Sequence, residues 1–186
     1  GAGIYYGAAL TEAASYRDDP MCVVGGANSA GQGAMFFSRY ASKVTMLVRA
    51  SSLSKSMSQY LIDQIAGTAN IEVLTRHTVE EVHGRNRLEA ITVLNHDTGE
   101  RTRIDTPALF LFIGAMPHSE CVAGIVERNT AGFILTGPDL LVNGQRPKGW
   151  KLQRDPYLLE TSVPGIFAAG DVRQGATRRV AAAVGE

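Results

Sequence analysis

The stretch that most constrains the fold is Val23-Val24-Gly25-Gly26-Ala27-Asn28-Ser29-Ala30-Gly31-Gln32-Gly33-Ala34. The short apolar run Met21 to Val24 predicts a buried strand. A glycine turn follows at once, and Ser29 to Tyr40 then carries small and apolar residues at helical spacing. Strand, glycine turn and helix in that order are what a dinucleotide-binding turn requires. A helix N-terminus offers unpaired N–H groups and a partial positive charge, which suit a pyrophosphate. Glycine permits the tight bend and the close approach of phosphate to backbone. In the pattern Gly-x-Gly-x-x-Gly/Ala, Gly25 is the first glycine and Ala30 the third, small position. The middle position is Ala27, whose methyl is expected to weaken or displace binding. The alternative is a plain strand-to-helix connection that binds nothing.

The second strand of such a unit sorts the nucleotide. An acidic residue at its end bonds the ribose hydroxyls of NAD, and arginine accommodates the extra phosphate of NADP. Val44 to Val48 reads as that strand; it ends in Arg49, followed by Ser51, Ser52 and Lys55, with no Asp or Glu. NADP is therefore the expected nucleotide. The alternative is a solvated Arg and Lys on a loop.

Eighteen basic and eighteen acidic residues balance. That removes any global pull toward nucleic acid or an anionic membrane. The longest apolar run, Ala108 to Ile113, is too short to span a bilayer, and the start lacks a signal-peptide pattern. Cys22 and Cys121 form no Cys-x-x-Cys or zinc pattern and read as buried thiols; sparse cysteine suits a cytoplasmic protein. His77, His83, His96 and His118 have no ligand spacing and read as surface or turn residues, so no metal is expected.

Along the chain, Ala8 to Tyr16 predicts a short helix. Ser54 to Ala66 predicts an amphipathic helix with Met57, Tyr60, Leu61 and Ile65 on one face, stopped by Gly67. Ile71 to Leu74 is a third strand. Val79–Val82, Leu88–Leu94 and Arg101–Ile104, joined by turn residues, predict an antiparallel meander. Ala108 to Phe112 returns to a buried strand. Ile113-Gly114-Ala115-Met116-Pro117 breaks it, and a domain boundary is expected there. Ile166-Phe167-Ala168 reads as a short buried strand with Gly170-Asp171 at its end, where α/β sheets bind ligands. Gln174 to Glu186 predicts a helix of small residues. The chain starts without Met and stops within that helix, so it reads as a segment of a longer protein.

Taken together these pieces resemble the low-molecular-weight thioredoxin reductases, two-domain flavoproteins of the pyridine nucleotide-disulfide oxidoreductase class. The resemblance covers essentially the whole chain. Its most specific part is Thr-x-x-Pro-Gly-x-Phe-Ala-Ala-Gly-Asp at Thr161 to Asp171. It implies an α/β, Rossmann-like NADPH-binding domain (residues 1–115, parallel sheet plus antiparallel meander), followed by the C-terminal part of an FAD-binding domain (116–186). It places NADPH on Gly25, Gly26, Ala27, Asn28, Ser29 and Ala30, with Arg49, Ser51 and Lys55 at the next strand end. It adds Gly114 to the cofactor-binding positions, with the link from Gly114 to Pro117 as hinge. FAD falls to Gly170, Asp171 and Arg179-Val180-Ala181.

Three departures matter. Ala27 stands where the family has glycine. Of the basic motif His-Arg-Arg-x-x-x-Arg only Arg49 is in place, with Lys55 one residue late. The Cys-x-x-Cys pair is absent: Gly7-Ala8-Ala9-Leu10 stands roughly where it should be. Disulfide exchange needs a thiolate and a partner sulfur, so the expected activity is NADPH-to-FAD hydride transfer with onward reduction of a protein or small-molecule acceptor, but not by the usual dithiol. The alternatives are a ferredoxin–NADP reductase of the thioredoxin reductase-like type and a non-catalytic nucleotide-sensing module. The full-length parent is expected to be the active form, with room for a homodimer. The isolated chain is expected to be inactive and sticky, with Ile134, Leu135 and Phe167 uncovered.

Overall fold

The computed structural model describes residues 2–7, 10–178 and 180–186. The chain divides into two compact units, one ending at Ile113 and the next starting at Gly114.

The first unit is α/β. A five-stranded parallel sheet has the order β1-β8-β2-β3-β4, from Ile4–Tyr6 (β1), Ala108–Leu111 (β8), Pro20–Val24 (β2), Lys43–Val48 (β3) and Ile71–Thr75 (β4). Its strands alternate between two cores, as a period of two demands. Met21, Val23, Val44, Met46, Ala108 and Phe110 face one core with helices α2 (Asn28–Phe37) and α3 (Gln59–Ala66). Cys22, Leu47 and Leu109 face the other, where they meet Leu88, Ile91 and Val93. The latter core is closed by an antiparallel sheet β5-β6-β7, from His77–His83, Ala90–Asn95 and Arg101–Asp105. The meander is thus the third layer of a helix–sheet–sheet stack. Successive strands run outward from β2 through β3 to β4, while β8 lies on the other side of β2. The order therefore reverses between β2 and β8, and ligands of open α/β sheets bind at such a point, beyond the carboxyl ends of the strands.

The predicted helix over Ser54 to Ala66 is shorter than expected. α3 begins after Ser58, and the preceding residues form an irregular loop with Leu53 and Met57 buried. Because Met57 lies outside the helix, helical spacing does not carry its face to Tyr60, which is 72% exposed. α1 spans Leu10–Ser15; the first two residues of its predicted range lie outside the described residues. His77 and His83 lie in β5 and are half-buried rather than in turns.

The second unit has little regular structure. A small core of Val126, Ile134 and Ala168 is surrounded by Val122, Val163 and Val172. Ile134 is therefore buried, contrary to the expectation of an uncovered residue. The strand expected at Ile166-Phe167-Ala168 is a single antiparallel bridge between Glu160 and Phe167. Only Ala168 of the three is buried, and Phe167 is 57% exposed. The terminal helix, α4, spans Val180–Gly185 and starts six residues later than expected. Gly175 at φ +70° takes the chain out of helical geometry at the start of the expected range.

What replaces regular structure is a polar hub. The Glu160 side chain has no exposed surface. It accepts two hydrogen bonds from Arg154 (2.6 and 3.0 Å), one from Tyr157 N–H (2.9 Å) and one from Gly165 N–H (3.0 Å). The Arg154 guanidinium lies 3.9 Å from the Tyr157 ring centroid. The carboxylate thus fixes the turn that carries Thr161 to Gly165.

Of the two cysteines, Cys22 is buried in β2 and Cys121 is exposed, which corrects the expectation of two buried thiols. Burial pushes the Cys22 thiol up to about 11. In the folded chain, an aromatic disulfide reagent at neutral pH is expected to titrate one thiol, with Cys22 reacting only on unfolding.

Candidate functional site

The glycine turn sits at the sheet's switch point. Gly25 N–H donates to Leu47 O at 3.1 Å, and Phe112 N–H, just past β8, donates to Val24 O at 2.8 Å. Gly25 adopts φ +145°. A Cβ there would lie 2.7 Å from Phe112 O and 2.9 Å from the Ala30 Cβ. Both the conformation and the space require glycine. At Gly26 a Cβ would approach Val48 Cγ1 to 2.8 Å, so the turn abuts the end of β3.

Ala27 caps α2 with φ −99° and ψ 176°. That extended conformation is open to any residue, so alanine is accommodated here without backbone strain. The first helical amide with a backbone acceptor is Gly31 N–H, which donates to Ala27 O at 3.1 Å. The N–H groups of Asn28, Ser29 and Ala30 precede it, in the orphan positions of a ten-residue helix. Asn28 and Ser29 are exposed, whereas Ala30 is buried against the turn. The cradle fits a nucleotide pyrophosphate: a tight turn that glycine permits, helix-start N–H groups that precede the first intrahelical bond, and the positive end of a helix dipole.

The loop after β3 lies against this turn. Ser56 Oγ donates to Gly26 O at 2.9 Å, and Ser58 N–H donates to Asn28 Oδ1 at 2.8 Å. Gly31 lets α2 approach the Met57 and Leu61 side chains. Arg49, Ser51 and Lys55 are exposed, and among the described residues neither Arg49 nor Lys55 is held in an ion pair or hydrogen bond. The structure thus brings the segment that carries Arg49, Ser51 and Lys55 against the glycine turn through Val48, Ser56 and Ser58. Ser56, Ser58 and Phe112 were missed. The run Ser51-Ser52-Leu53-Ser54-Lys55-Ser56 carried a signal, since hydroxyls beside a glycine turn can bond its carbonyls.

In the second unit, Gly114 at φ +89° is a neighbour of Arg178, whose guanidinium also covers the Phe133 ring at 5.0 Å. Arg179 lies outside the described residues. Val180 and Ala181 are exposed at the start of α4. Gly170, at φ +71°, opens a short 3-10 turn, Gly170–Val172, that presents an exposed Asp171. Gly170 N–H donates to Glu186 Oε2 at 2.6 Å, and Arg173 pairs with the same carboxylate. These bonds, the Arg173 one foremost, hold the Glu186 carboxyl below the usual carboxylate range. Asp171 offers an exposed carboxylate as a hydrogen-bond acceptor, whereas Gly170 N–H is already engaged.

A parallel sheet with a glycine-lined helix N-terminus at its switch point defines a dinucleotide-binding α/β protein. Residues 5–186 match the family model described as pyridine nucleotide-disulphide oxidoreductase, and the chain belongs to that family. It is 34% identical over 173 residues to a thioredoxin reductase of Mycoplasmopsis pulmonis, covering 92% of this chain and 48% of the relative. It is 32% identical over 171 residues to one of Yarrowia lipolytica, covering 91% and 47%. Among solved structures, Lactococcus lactis thioredoxin reductase superposes with a TM-score of 0.77 at 26% identity, over 98% of this chain and 54% of that one. The chain spans about half the length of the curated relatives it matches.

Proposed function

We propose that this chain is the NADPH-binding segment, with part of the FAD-binding domain, of a thioredoxin reductase-like flavoenzyme that passes reducing equivalents onward by a route other than the usual dithiol. The observation that carries the reading is the junction of the Gly25–Ala30 cradle with a β3 end that bears Arg49 and Lys55 and no carboxylate. An anion-accepting strand end favours the phosphorylated nucleotide. The hydride chemistry belongs to the cofactors. The residues of this chain bind and orient: α2 presents its N–H groups to the pyrophosphate, Arg49 and Lys55 receive the ribose phosphate, and Asp171 accepts from the flavin side chain. The division of labour is residues 1–115 for NADPH and 116–186 for FAD, with a hinge from Gly114 to Pro117.

Cys22 and Cys121 are the only cysteines in the sequence, and neither stands between Gly3 and Tyr16. That observation equally supports a ferredoxin–NADP reductase activity in the parent, since one-electron transfer from flavin needs no thiol. Either way the acceptor is a redox protein or small molecule met by the full-length protein.

Titration calorimetry of the chain with NADPH and NADH tests the nucleotide reading. NADPH is expected to bind at least about tenfold more tightly, and Arg49→Ala is expected to remove most of that preference, as loss of a charge-assisted phosphate contact would. Equal affinities, or a preference untouched by Arg49→Ala, would sink the role given to Arg49.

A further inference from the structure

We propose that the Asn28 side chain is a positioning group, not a ligand of the nucleotide, and that with Ser56 it sets the preference for a phosphorylated ribose by pinning the loop that carries Lys55. This rests on the nucleotide reading above and assigns a regulator of specificity within it.

The geometry is a two-point tie across thirty residues of sequence. Asn28 Oδ1 accepts from Ser58 N–H at 2.8 Å, and Ser56 Oγ donates to Gly26 O at 2.9 Å. Asn28 is the first residue of α2, and Ser58 caps α3. The tie therefore joins the N-termini of two helices that pack through Gly31 against Met57 and Leu61. Asn28 Oδ1 is thereby committed to the Ser58 amide although the residue is exposed, while its backbone N–H remains one of the helix-start donors. Leu53 and Met57 are buried on either side of Ser54-Lys55, so the loop is anchored below by apolar side chains and laterally by the two bonds. Ser52 and Ser54 hydroxyls, 2.9 Å apart, stiffen the near arm. Only Lys55 is left as an exposed cation on this platform, with Arg49 at its base.

The chemistry follows from preorganisation. A lysine on a free loop must give up loop and side-chain freedom when it meets a phosphate; on a pinned loop most of that cost is already met. The unphosphorylated ribose makes no demand on Lys55. The tie therefore strengthens binding of the phosphorylated nucleotide selectively.

Two measurements on the intact chain test this. The first is nucleotide affinity for wild type, Asn28→Ala, Ser56→Ala, Lys55→Ala and the Asn28→Ala/Lys55→Ala pair, with NADPH and NADH as probes. Asn28→Ala and Ser56→Ala are each expected to weaken NADPH by about tenfold, and Ser56→Ala to leave NADH within about twofold. In the Lys55→Ala background Asn28→Ala is expected to add nothing further to the loss of preference, because both act through one group. Equal weakening of both nucleotides by Asn28→Ala, or additive losses in the pair, overturns the proposal and makes Asn28 a direct contact. The second is amide hydrogen exchange without nucleotide. Ser58 N–H is expected to lose protection in Asn28→Ala, and unchanged exchange overturns the tie whichever nucleotide binds. A wild type that shows no preference, while Ser58 protection still falls in the variant, overturns the specificity role together with the nucleotide reading and leaves the tie as packing alone.

Discussion

Gly25→Val is expected to abolish nucleotide binding and to lower stability by about 2–5 kcal/mol, the sum of overpacking and a left-handed β-branched residue. The first Cβ already meets a backbone oxygen, that of Phe112, at 2.7 Å. The residue that carries it is tied to β2, since Phe112 N–H donates to Val24 O at 2.8 Å, which limits how far the oxygen can withdraw. On the other side the Ala30 Cβ, 2.9 Å away, belongs to a helix packed into the core. The strain at φ +145° comes in addition. Relief can come only by moving the turn away from β8, which carries the α2 amides out of register with a pyrophosphate. Gly99→Ala is the control: its φ of +72° imposes strain, but nothing lies within 4 Å of the new methyl, so about 1 kcal/mol is expected. Thermal melts beside an NADPH titration check both. A Gly25→Val chain with a wild-type midpoint would remove the steric argument for the turn.

Glu160→Ala is expected to lower the melting temperature of the second unit by more than about ten degrees, since it strands a guanidinium and two amides that share one carboxylate. The pH dependence has a defined sign. The Arg154 bond first, then the Tyr157 and Gly165 amides, hold the Glu160 carboxyl at about 2 against the opposing pull of burial. An unfolded glutamate titrates near its ordinary value of 4.5. The folded group is therefore the stronger acid. Its contribution to stability is complete above about pH 4.5 and disappears as pH falls toward 2. Glu186 is shifted the same way by Arg173 and Gly170, so the wild-type slope has two sources. Glu160→Gln is expected to remove one and leave the other. Melts between pH 2.5 and 7 on wild type and Glu160→Gln measure the difference, and identical slopes would show that Glu160 is not held as described.

The first unit was legible because its signals are local. Met21 to Val24, Val44 to Val48 and Ala108 to Leu111 are near-continuous apolar runs, as strands buried against a core on each face require. The glycine turn was legible for a similar reason: Gly25 is required by its own backbone and by a neighbour at fixed distance. The second unit misled where order rests on side chains far apart in sequence. Phe167 has the composition of a buried strand, yet its neighbourhood is set by the Glu160 hub, which no periodicity announces. The helix expected over Gln174 to Glu186 is likewise interrupted at its start, where Gly175 takes a positive φ, and α4 begins at Val180. In the loop from Ser51 to Ser58 the serines looked like filler. Their bonds to Gly26 and Asn28 depend on how closely α2 and α3 pack, which Gly31 permits and a linear reading does not display.

The pairing of Val24 with Leu111 has a bearing on synthesis. The glycine turn is made before β3, β4 and the whole meander, while β8, which leads into Phe112 and its carbonyl against Gly25, emerges only after them. Until then the switch point has one wall. The turn is therefore walled on both sides only once the last-made strand of this unit has inserted beside β2, so that its closure marks completion of the sheet.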